Sequence, residues 1–191
     1  MTNTLIKLFL VVLLPGTLSA CIHPKSGCTV LPGGGQYCLQ PTSAIQPFEV
    51  QQKVEATFKG RHETMITEIE VNANEFNFVG LTPFGQKLVH ISYDNQSVIT
   101  RTIPDKRLDP TIMLALIQLS LWPAESVRMG LSKSLVLEET DSQRSIIAGK
   151  QVIMQMHYTD NTMPHQALEV ALPTMEMILE VVSLPETESA K

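Results

Sequence analysis

The sequence has no apolar stretch long enough to cross a bilayer, no run of basic residues, and none of the local patterns that announce common enzyme chemistries. A membrane-spanning helix needs about 20 apolar residues, and the N-terminal run from Leu8 to Leu14 falls far short of that. The formal charge of −5, with no basic cluster, argues against a nucleic-acid partner. There is no G-x-S-x-G elbow and no phosphate-binding glycine loop. His23, His62, His90, His157 and His165 share no ligand spacing, and none pairs with glutamate or cysteine in a zinc-type pattern. They read as ordinary surface or sheet histidines. The expectation is a protein without catalytic residues, metal or cofactor. Repeats, low-complexity blocks and a second domain are lacking too.

What is present begins at the N-terminus. Lys7 precedes the short apolar run, Pro15-Gly16 breaks it, and small residues lead to Cys21, which is the layout of a signal peptide. Leu18-Ser19-Ala20-Cys21 resembles the lipobox of bacterial lipoproteins. That resemblance implies cleavage of residues 1–20 and lipidation of Cys21. Each buried methylene contributes about 0.8 kcal/mol, and two membrane signals already make anchoring stable. By resemblance to the enterobacterial sorting rule, Ile22 after the cysteine favours the periplasmic face of the outer membrane. Loss of Lys7 leaves the mature side chains one unit more acidic.

Residues 21–47 are rich in turn formers, including Pro24, Pro32, Gly33, Gly34, Gly35 and Pro41, and read as a tether. As a flexible coil the tether would span roughly 30 Å. An exported chain meets an oxidising compartment, which makes Cys28 and Cys38 candidates for a disulfide. Closing so short a loop would contribute roughly 3 kcal/mol. Two free thiols in a mobile leader are the alternative.

From Phe48 the texture becomes alternating, which predicts half-buried strands over 48–59, 63–72, 75–81, 87–93 and 97–103, joined as an antiparallel meander. Asp109 as N-cap and Pro110 in the first turn predict a helix to about Trp122, ended by Pro123. Nearly every residue of that helix is apolar, so it must be buried on most sides. A short second helix over 124–131 follows. Strand texture then returns at 134–139, 144–147, 151–159, 166–172 and 175–184, before a polar tail over 185–191. The expected fold class is mainly β with inserted helices (α+β).

Two features bear on function. In Gly80-Leu81-Thr82-Pro83-Phe84-Gly85-Gln86, Leu81 and Phe84 are apolar at a tight turn; they either pack inward or form an exposed tip able to touch lipid or a lipidated partner. Methionine suits both irregular core gaps and pockets for variable apolar ligands. Alternation places Met154 with Met156, and Met175 with Met177, on one sheet face each.

Gly80-Leu81-Thr82-Pro83-Phe84-Gly85-Gln86-Lys87-Leu88, then Leu108-Asp109-Pro110, then Leu116-Ile117-Gln118-Leu119-Ser120-Leu121-Trp122-Pro123, in that order behind a lipobox, resembles an uncharacterised family of bacterial outer-membrane lipoproteins often found with aryl-polyene lipid genes. More distantly, residues 48–184 resemble the LolA/LolB lipoprotein-carrier superfamily. That resemblance implies a half-open antiparallel β-barrel, LolB-like, with an apolar helix plugging the concave face around a cavity for acyl chains. It also implies that Phe84 lies in the protruding apolar loop. Phe58, Phe76, Phe78, Leu116, Trp122, Met154 and Met156 are the candidates for cavity or core. Carriers of this kind use no cofactor and bind an acyl chain or lipoprotein without covalent chemistry. Unlike the receptor, this chain opens with a Gly/Pro-rich leader instead of an amphipathic helix, which points to a narrower ligand. The alternative is an accessory subunit of an envelope lipid-biosynthesis or transport assembly. An open apolar cavity of several hundred Å3 beneath the helix is what a carrier needs; a filled core fits a scaffold.

Overall fold

The computed structural model describes residues 27–106 and 108–185. The expected signal peptide, Cys21 and residues 186–191 of the tail lie outside the described residues. Twelve strands and two helices are present among the described residues: β1 (Cys28–Val30), β2 (Gln36–Cys38), β3 (Phe48–Phe58), β4 (Arg61–Val71), β5 (Phe76–Leu81), β6 (Lys87–Tyr93), β7 (Val98–Thr102), α1 (Pro110–Leu121), α2 (Ala124–Gly130), β8 (Leu135–Glu139), β9 (Gln143–Ala148), β10 (Gln151–Tyr158), β11 (Ala167–Leu172) and β12 (Met177–Ser183).

Ten of the strands form one antiparallel sheet in the order β7-β6-β5-β4-β3-β12-β11-β10-β9-β8. It consists of two five-stranded meanders, β3 to β7 and β8 to β12, joined where the first and last strands pair, from Met177 opposite Phe58 to Ser183 opposite Gln52. The sheet is not closed, because β7 and β8 are its two edges. Chain leaving one edge re-enters at the other, so the helical segment between them must cross the sheet. Hence the inner face is the one α1 covers.

Local chemistry sets the register of the first meander. Lys59 and Gly60 both have positive φ (48° and 75°), the two-residue hairpin geometry whose twist matches the flanking strands. Asn72 Oδ1 accepts from the N–H groups of Asn74 and Glu75, and Asp94 Oδ1 from those of Gln96 and Ser97. Such side chains imitate a backbone turn. With the turns fixed, Thr67, Ile69 and Val71 on β4 and Phe76 and Phe78 on β5 are buried, while Glu68 and Glu70 face outward.

The strands and helices predicted by alternation and capping appear with ends shifted by no more than two residues, and the leader is where expectation and structure part. From Gly27 onward it is no flexible tether. β1 and β2 pair as a hairpin closed by the Cys28–Cys38 disulfide, and Leu31, Tyr37 and Leu39 are buried in the main core. The folded unit therefore includes the described leader residues from Gly27 and not only those from Phe48. The physical reason is packing: three-residue strands carry too little periodicity to register in sequence, and their apolar side chains are buried only by contact with distant elements. Close approach shows at Gly130 in α2, where an added Cβ would lie 2.5 Å from Tyr37 Cε2 and 2.6 Å from the Cys38 carbonyl oxygen. A second difference is at residues 173–175, which form a 3-10 turn. Met175 therefore does not share a strand with Met177.

Candidate functional site

α1 is the element around which the candidate site is built. Asp109 caps it by accepting from the Thr111 N–H (2.8 Å), and Pro110 occupies the first turn. The helix carries Leu114, Ala115, Gln118 and Trp122 on one side and Met113, Leu116, Ile117 and Ser120 on another, as the 3.6-residue period requires. The first set is fully buried. The second lines a cleft.

The buried side is held by polar bonds to the leader. Thr29 Oγ1 donates to Asp109 Oδ2 (2.8 Å), Tyr37 Oη to Gln118 Oε1 (3.1 Å), and the Gln40 N–H to the same oxygen (2.7 Å). Gln118 Nε2 donates to the Gln40 carbonyl (2.9 Å), and the Trp122 indole to the Pro41 carbonyl (3.2 Å). Buried polar groups left without partners cost roughly 1–3 kcal/mol each, so Gln118, wholly buried, can occupy this apolar helix only because the leader satisfies it. At the C-terminal end of α1, Arg144 Nη1 donates to the carbonyls of Leu119 and Trp122 (2.8 Å each), and Tyr158 Oη donates to that of Ser120 (2.9 Å). A cation there satisfies terminal carbonyls and complements the helix dipole. Arg144 is itself balanced by Glu139, which accepts from Nε at 2.8 Å and also from Nη2. Burial disfavours phenolate, and it pushes Tyr158 up to about 12 and raises Tyr37 further.

The cleft lies between the other side of α1 and the middle of the sheet. Its floor includes Val54 on β3, Met65 and Ile69 on β4, Phe78 on β5, Val170 on β11 and Val181 on β12. Its volume is about 160 Å3. An engineered apolar cavity of roughly 150 Å3 stays dry and takes up benzene, so this cleft fits a short alkyl segment and is smaller than the several hundred Å3 sought for a complete chain. Gln52, Thr67 and Ser120 are the polar exceptions in its lining. A second, larger cleft of about 600 Å3 lies at the C-terminal end of α1, with Glu139, Asp141, Arg144, Tyr158 and His165 in its wall. His165 stacks on Tyr158 with ring centroids 4.3 Å apart, and its Nδ1 lies 3.0 Å from the Asp160 carbonyl oxygen.

The predicted site residues fall into different places. Leu116 and Phe78 line the apolar cleft. Phe76 and Trp122 pack against each other with centroids 5.2 Å apart, and Met154 and Met156 are core residues; none of these four reaches the cleft. Phe58 sits at the end of β3, 36% exposed, with Lys59 Nζ over its ring. Phe84 is 98% exposed at the tip of the β5–β6 turn, while Leu81 closes β5 half-buried opposite Ile66. Val54, Met65, Met113 and Val170 line the cleft without having been singled out. Their signal in sequence is ordinary alternation, identical for core and cleft.

An open antiparallel sheet folded against an inserted helix, with an apolar cleft between them, defines the class: a mainly β protein with a small apolar cleft under its helix. The chain belongs to the family described as "Protein of unknown function (DUF3261)", whose profile matches residues 49–184. The match leaves the disulfide hairpin of the leader outside it. No curated protein matches the chain.

Proposed function

We propose that the protein is an outer-membrane lipoprotein that binds the acyl chain of a lipid or lipoprotein, without covalent chemistry, between α1 and the inner face of a LolB-like half-barrel. The observation that carries this reading is the apolar cleft: half-buried Met113, Leu116 and Ile117 face a floor of Ile69, Phe78 and Val170 without filling the space. At about 160 Å3 the cleft takes the end of a chain at first, and deeper entry requires Met65 and Met113 to change rotamer, for which unbranched methionine is suited. Phe84, bare at a turn, is the contact point for a lipid donor. With lipid on Cys21, residues 22–26 separate the anchor from the folded hairpin, and a chain of that length reaches at most roughly 18 Å. The domain then works against the bilayer surface.

The test is uptake of a fluorescent fatty-acyl probe by the full-length protein, with Leu116→Trp as the comparison. Probe binding that Leu116→Trp abolishes, with the thermal midpoint retained, is the expected result. No binding by the native chain would sink the proposal.

An accessory subunit of an envelope assembly is the second reading, favoured by one observation: α1 is fastened at its N-cap, its middle and its C-terminus. A fastened plug suits a scaffold. Crosslinking in cells would then recover a stable protein partner, and the acyl probe would not bind.

A further inference from the structure

The two clefts are neighbours that share part of a wall. Ser120 and Leu121, in the last turn of α1, line both the apolar cleft and the larger polar one. We infer that they form one composite site for a single-chain amphiphile, the chain lying under α1 and an uncharged or zwitterionic head group occupying the polar cleft. This rests on the acyl-binding reading above and adds the class of head group.

The chemistry of the polar wall selects the head. At about 600 Å3 the cleft falls within the roughly 300–1,000 Å3 usual for small-molecule sites. Its cation, Arg144, is not a receptor for an anion: Nε is committed to Glu139 and Nη1 to two helix carbonyls, and Glu139 cancels the charge. Asp141, exposed on the rim, then leaves the wall with an acidic excess. An anionic head would enter against that charge, in a recess where screening is weaker than in bulk solvent. Hydroxyl or amide groups instead find acceptors in the Glu139 and Asp141 carboxylates and in the Asn161 side chain, and a zwitterion adds a cation that these carboxylates attract. Met163 and Ile45 supply apolar surface for the glycerol or linker carbons.

The experiment preloads full-length protein with a neutral fluorescent acyl probe and displaces it with four competitors of equal chain length: an alkane, a monoacylglycerol, a lysophosphatidylcholine and a free fatty acid as its anion. The monoacylglycerol and lysophosphatidylcholine are expected to compete at least five-fold better than the anion. Asp141→Lys, which changes only an exposed rim residue, should narrow that gap at least three-fold. Equal or reversed potency in the native chain, or a gap that Asp141→Lys leaves unchanged, overturns the composite site while acyl binding stands. Displacement by none of the four, the alkane included, overturns the acyl-binding reading beneath it.

Discussion

Replacing Gln118 by leucine removes the one polar side chain that ties the middle of α1 to the leader. Three hydrogen bonds disappear: those from Tyr37 Oη and the Gln40 N–H, and the one to the Gln40 carbonyl. At about 1 kcal/mol net for each bond, plus roughly 1–3 kcal/mol for any buried group left unpaired, the expected loss is roughly 3–6 kcal/mol. That is a large share of the roughly 5–15 kcal/mol that holds a domain together. Tyr37→Phe alone should cost only about 1 kcal/mol, because Gln118 keeps its bonds to Gln40. In the Gln118→Leu background the same change should cost nothing or stabilise, since it deletes an orphaned hydroxyl; the coupling is then about 1–2 kcal/mol. Trp122 is the only tryptophan and is wholly buried against Pro41 and Phe76, so urea unfolding followed by its fluorescence reports on this region. A loss below about 1 kcal/mol for Gln118→Leu, or additive effects in the double variant, would refute the idea that the leader and helix are clamped through this amide.

Cys28→Ser should lower stability by roughly 3 kcal/mol, seen as a lower urea midpoint; an unchanged midpoint would mean that the hairpin holds without its disulfide. Tyr37, Tyr93 and Tyr158, all the tyrosines of the chain, have pKa values raised above 10.0, chiefly by burial. Raised folded-state values mean that their contribution to stability is complete below pH 10 and is lost as pH climbs through about 12, the Tyr158 value. Ultraviolet titration should therefore find each phenol less than half ionised at pH 10 in the folded protein, and a half-ionised tyrosine there would contradict the burial described. Phe84→Asp should change stability by no more than about 0.5 kcal/mol, as an exposed site allows, yet slow acyl uptake from vesicles without altering equilibrium binding; an unchanged rate removes Phe84 from the transfer step.

Much of the secondary structure could be read from residues alone, because strands that bury one face must alternate and because Asp109-Pro110 is a strong helix start. The pairing of β3 with β12 could not, since it joins residues more than a hundred positions apart and leaves no local mark. The packing of the leader leaves no local mark for a related cause: Pro32 and Gly33 to Gly35 make a turn, but whether Leu31, Tyr37 and Leu39 flank a loose loop or a packed hairpin is decided by α1 and α2. Within the site, Leu116 and Phe78 could be anticipated, whereas Phe76 and Trp122 could not be told from them, because apolar residues on an inner face look alike until the gap between helix and sheet is known.

The pairing of β3 with β12 also dictates an order of events. During synthesis the first meander is complete after β7, but its β3 edge stays unpaired until Met177–Ser183 is made. Contacts of such long sequence separation form slowly, and an unpaired strand edge invites pairing with other chains. Until this last strand is made, the folding chain carries an adhesive edge and an incomplete apolar floor, so loss of β12, which lies in the middle of the sheet, would split the two meanders apart.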